Sequence, residues 1–79
     1  MNKNYEMYEV DAIKKDDGTW EWNELHHSYD VFNIDEKDIL KVFGEWYGEG
    51  DYSAKKMNNG SILVYNTKDK RPSVLFFSV

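Results

Sequence analysis

The sequence predicts a single small α+β domain over residues 1–79, of order ββαβββ, with a mostly antiparallel, curved sheet packed on one amphipathic helix. Three observations predict it. Apolar and polar residues alternate from Tyr5 to Ile13 and run into Asp17-Gly18, a hairpin signal. A second such signal, Asn59-Gly60, separates two strand-like runs. Between them, Ile39 to Tyr47 carries apolar side chains at helical spacing.

The first strand is expected from Tyr5 to Ile13, with Tyr8, Val10 and Ala12 on one face. Residues 14–18 form a charged turn, because Asp-Gly supplies the positive φ that a tight hairpin requires. Thr19 to Asn23 returns as the second strand, and Trp20 and Trp22, two apart, share a face. Residues 25–33 read as a connection of no assigned form. Asp35 is placed to cap the helix, with Ile34 and Ile39 as a hydrophobic staple around it. Ile39, Leu40, Val42, Phe43, Trp46 and Tyr47 cover one side of that helix, and Gly48 ends it. Docking is expected through Ile39, Leu40, Phe43 and Trp46, with Trp46 against Trp20 and Trp22.

Three strands are expected after the helix: Tyr52 to Met57, Ile62 to Tyr65 and Val74 to Val79. The last two are apolar on both faces, the pattern of strands covered on both sides. One helix covers only one face. The second cover is therefore the sheet curling on itself, the 25–33 segment, or another molecule. Phe76 and Phe77 point to opposite faces, so Val74, Phe76, Phe77 and Val79 are a candidate partner surface, with a homodimer as one way of using it.

Charge is unevenly distributed. Residues 1–51 carry a net −9 and residues 52–79 a net +4, within a chain of net −5. Lys55, Lys56, Lys68, Lys70 and Arg71 form a candidate basic patch, but the net charge opposes approach to a polyanion, so nucleic-acid binding is not expected. The chain has no cysteine, no apolar run long enough to span a membrane and no leader-like start, which fits a cytoplasmic protein. Nine lysines against one arginine, with frequent Asn, Tyr and Ile, fit an AT-rich bacterial or phage genome.

No catalytic, cofactor-binding or metal-binding residue is expected. His26-His27-Ser28-Tyr29-Asp30 holds the residue types of a catalytic triad, but contiguous side chains do not converge as triads do. Gly44, Gly48 and Gly50 lie at the end of the helix, where the dipole repels phosphate. Asp16, Asp17, Glu21 and Glu24 read as solvated charge. Trp20 and Trp22 would need cations beside them to receive nucleic-acid bases, and their sequence neighbours are acidic. The expected function is a small non-enzymatic protein-interaction or regulatory domain. One form of it is an acidic inhibitor from a phage or mobile element that mimics nucleic acid before a basic partner. A nucleic-acid-binding module using the C-terminal basic residues is the alternative, and a small hydrolase using His26 or His27 is the remote one.

Overall fold

The computed structural model describes the backbone of residues 1–79 and all side chains except those of 23–25 and 27–30. The elements are β1 (Asn2–Lys14), β2 (Trp20–Asp35), a 3-10 turn (Glu36–Asp38), α1 (Ile39–Tyr47), β3 (Tyr52–Lys56), β4 (Ile62–Asn66) and β5 (Pro72–Ser78). The five strands form one antiparallel sheet in the order β2-β1-β5-β4-β3. The ββαβββ order is as the sequence predicts.

Both hairpin turns follow their chemistry. In the first, the Gly18 N–H donates to the Lys15 carbonyl at 3.0 Å, and Gly18 has φ 88°. The Asp17 carboxylate accepts from the Thr19 N–H at 3.0 Å and from its hydroxyl at 2.6 Å. In the second, Gly60 has φ 87°, and the Asn59 side-chain oxygen accepts from the Ser61 N–H and hydroxyl.

Residues 25–33 are not a connection. β2 continues through them to Asp35. The signal was hidden because β2 is bulged against β1. Between Glu6 and Tyr8, β1 advances two residues while β2 advances four, from Val31 to His27. Between Asp11 and Ala12, β1 advances one residue and β2 two. Three extra residues in β2 therefore break its period of two.

The same bulges decide what each face buries. In a regular strand, Trp20, Trp22, Phe32 and Ile34 would share a face. An odd number of inserted residues sends the two tryptophans to the opposite face from Phe32 and Ile34. Phe32 and Ile34 pack on the helix-side core, which contains Tyr5, Met7, Ile39, Phe43, Ile62, Val64, Val74 and Phe76. Trp20 and Trp22 line the other face beside Leu63. The expected packing of Trp46 on Trp20 and Trp22 is thus incorrect. Trp46 instead meets Phe32 edge-on, at 5.8 Å between ring centres.

Asp35 caps the 3-10 turn that leads into α1 rather than α1 itself, whose N-cap Asp38 makes no side-chain capping bond. The Asp35 carboxylate accepts from the Lys37 N–H at 3.1 Å and from the Met1 ammonium at 2.7 Å. Those donors hold the Asp35 carboxyl below its ordinary range. The buried stripe of α1 is narrower than expected: Ile39 and Phe43 are buried, whereas Leu40 and Trp46 are exposed. Ile39 and Phe43 are one turn apart, so a single ridge meets the sheet.

Tyr47 ties the end of α1 to β1, its hydroxyl donating to the Glu9 carboxylate at 2.6 Å. Burial pushes the Tyr47 phenol well above its ordinary value of 10.0, and the Glu9 hydrogen bond and charge push it further. A raised pKa means that the folded state favours the neutral phenol. The resulting stability is intact below the unfolded value near 10 and is lost as pH rises through the folded value. Tyr47→Phe should therefore make stability fall less steeply above about pH 10 than in the wild type, as read by urea midpoints across alkaline pH. Identical alkaline slopes would remove this role.

Candidate binding groove

β5 lies at the centre of the sheet, paired with β1 on one side and β4 on the other. This corrects the expected partner surface. Val74 and Phe76 are fully buried beneath α1. Phe77 is half-buried on the other face, edge-on to Tyr8 at 5.2 Å. Only Val79 is well exposed, and its N–H donates to the Asn4 carbonyl. The four residues do not form one surface, because alternation along a central strand divides them between two covered faces.

The second face is covered by the sheet itself. The Trp20 indole N–H donates to the Asp69 carbonyl at 2.8 Å, pinning the far end of the β1–β2 hairpin to the β4–β5 loop. The Arg71 guanidinium lies over the Trp20 ring at 5.7 Å and the Lys14 ammonium at 5.8 Å. Such contacts contribute about 0.5–1 kcal/mol each at partly exposed sites.

The cover is incomplete and leaves a groove. One stretch, of about 440 Å³, is lined by Trp20, Trp22, Leu63, Tyr65 and Pro72, with Lys55 and Lys70 at its sides. The next stretch, of about 510 Å³, includes Trp22, Lys55, Leu75 and Phe77 and reaches the Asn58–Asn59 turn. Trp22 and Lys55 line both stretches, so the two adjoin along β4. Among the described residues, no carboxylate lines either stretch.

The expected basic patch is divided. Lys56 pairs with Glu36 at 3.4 Å, and Lys68 pairs with Asp51 at 3.0 Å. Both are partly neutralised by the acidic half of the chain. Lys55 and Lys70 line the groove, as does the paired Lys56, and Arg71 stacks on Trp20. Along the chain the neighbours of the tryptophans are acidic, Asp17, Glu21 and Glu24, which is why the sequence points away from them as a binding surface. In space their neighbours include Lys14, Lys55, Lys70 and Arg71. The available signal was the i, i+2 spacing of Trp20 and Trp22, since Glu21 between them projects to the opposite face.

Lys70 carries a backbone cost. Its φ is 66°, the only positive value at a non-glycine residue among those described. The loop imposes it: the Lys70 N–H donates to the Asn66 carbonyl, and the Asn66 N–H donates to the Arg71 carbonyl, both at 2.9 Å. The Lys70 ammonium then lies over the Tyr65 ring at 5.8 Å, at the groove wall. Asparagine tolerates this conformation better than lysine. Lys70→Asn should raise stability by about 0.5 kcal/mol, the relieved strain less the lost ammonium–ring contact. A thermal melt checks the sign, and a clear loss of stability would show that the loop depends on the lysine.

His26 is exposed, and the side chains of 27–30 and of Glu24 lie outside the described residues, so the expectations placed on them stand without a structural account. No helix among the described residues is long and apolar enough to cross a membrane. Comparison with known protein families, with curated proteins and with solved structures finds no match for this chain.

Proposed function

We propose that this chain is a non-enzymatic protein-interaction domain whose binding surface is the groove on the second face of the sheet. The observation that carries the proposal is the groove itself. An apolar and aromatic floor is open between the Trp20–Trp22 wall and Lys55 of β3, with a volume in the usual range for ligand sites. Trp22 and Phe77 supply accessible apolar surface over the nearly buried Leu63 and Leu75, while Lys55 and Lys70 supply donors that orient a ligand. Trp22 sits where the two stretches join and keeps 36% of its surface exposed. A partly exposed tryptophan in the middle of an apolar groove is a typical anchor for a protein partner.

The experiment is site-specific photo-crosslinking in cells that naturally express the protein. A benzoylphenylalanine at position 22 should give discrete protein adducts, and the same group at position 41, on the exposed side of α1, should not. Adducts from position 41 alone, or from neither position, would sink the proposal.

A further inference from the structure

We infer that the groove takes a short extended peptide segment that is acidic and carries an apolar anchor residue. The inference rests on the groove being the binding surface and adds the chemistry of what occupies it. Three observations support it.

The first is shape. The groove runs alongside residues 61–65, into β4, and four residue steps of extended chain span roughly 14 Å. That length suits about four or five residues of extended chain. A strand-like segment can lie along it with alternate side chains on the floor. Leu63, Leu75 and Trp22 then receive the apolar anchor.

The second is charge. Lys55 makes no ion pair among the described residues, and Lys70 is held over Tyr65 rather than by a carboxylate. Lys56 and Lys68, by contrast, are matched by Glu36 and Asp51. Lys56 also lines the groove but is held by Glu36, so Lys55 and Lys70 are the lysines there left for an incoming carboxylate. Lys70 also reaches this place through a strained backbone that lysine does not favour. Retained strain of that kind is characteristic of positions that contact ligands.

The third observation separates a peptide from a single-stranded nucleic acid, which also seeks aromatic rings and cations. Base stacking needs free ring faces. Lys14 and Arg71 lie over Trp20, and Lys70 lies over Tyr65. At Trp20 and Tyr65 bases would have to displace the cations that the phosphates also need, which leaves Trp22 as the groove indole with no cation over it among the described residues. A carboxylate needs no ring face, and an aliphatic side chain needs only the floor. The net −5 of the chain works against any anion at long range. Recognition is accordingly a contact-range event, in which the floor holds the anchor and the two lysines select for acid.

Selection of random heptapeptides displayed on phage, with the full chain as bait, tests this. Enrichment of sequences combining Asp or Glu with Leu, Ile or Phe is expected. The enriched peptides, synthesised with a fluorescent label, should lose affinity about tenfold or more in Lys55→Glu/Lys70→Glu and in Trp22→Ala, each checked for a retained thermal transition. Enriched peptides that are neutral, and weakened by Trp22→Ala but not by the lysine reversals, would overturn the acidic class and leave the groove as the binding surface. No enrichment, or binding untouched by any of these substitutions, would overturn both. Labelled oligo(dT) is the second arm. It should show no binding at micromolar protein, and oligo(dT) binding lost in Lys55→Glu/Lys70→Glu would replace the peptide with nucleic acid.

Discussion

Phe43→Ala is expected to destabilise the protein by about 3–5 kcal/mol, the largest loss of any single substitution considered. Phe43 is 1% exposed. Its ring stacks on Tyr47 at 4.9 Å and meets Tyr52 edge-on at 4.7 Å. Along with Ile39, it is the part of α1 that is buried, so no neighbouring helix residue can take its place. A chain of 79 residues has a total stability of roughly 4–12 kcal/mol. The substitution should therefore bring the domain close to unfolding at room temperature. Leu40→Ala is the matched control. Leu40 is 39% exposed, so its loss should cost about 1 kcal/mol or less. Urea denaturation followed by far-UV circular dichroism reads both. An unchanged midpoint for Phe43→Ala would mean that α1 is not docked as described.

The contrast between Phe43 and Leu40 shows what the sequence could convey. Helical spacing placed both on the apolar side of α1, and that much was legible. Which of them is buried depends on where the single helix sits over five strands, and periodicity carries no such information. Turn chemistry was read more reliably, because Asp17-Gly18, Asn59-Gly60 and the Asp35 cap act through contacts within a few residues. The failures involve non-local geometry. The sequence predicts a β2 that ends at Asn23, far short of Asp35, because three extra residues spoil its alternation. The same bulges moved Trp20 and Trp22 to the face opposite the helix. The need for a second cover was visible in the doubly apolar β4 and β5, and the cover turned out to be the chain's own hairpin. The division of the basic residues between ion pairs and groove could not be read at all. It depends on Glu36 and Asp51 reaching Lys56 and Lys68 across the fold.

Trp20→Ala is expected to cost about 2–3 kcal/mol, the second-largest effect, although the residue lies far from the helix-side core. The ring is half-buried rather than fully buried, which keeps the loss below that of Phe43. Three contributions add to its apolar area: the indole hydrogen bond to Asp69 and the cations Lys14 and Arg71 on its ring. Trp46, 55% exposed and touching Phe32, should cost about 1 kcal/mol on truncation to alanine. The decisive measurement is the double variant. Trp20 and Trp46 lie on opposite faces of the sheet and share no partner in the contacts described. Their effects should add to within about 0.5 kcal/mol. If all three tryptophans shared one core, as their sequence positions imply, the pair would instead show coupling well above that margin. Far-UV circular dichroism should follow the urea transitions, because the substitutions remove the fluorophores themselves. Additivity would establish that the long β1–β2 hairpin stabilises the domain from the second face, independently of α1. Coupling between the two would return Trp20 to the helix-side core and close the groove with it.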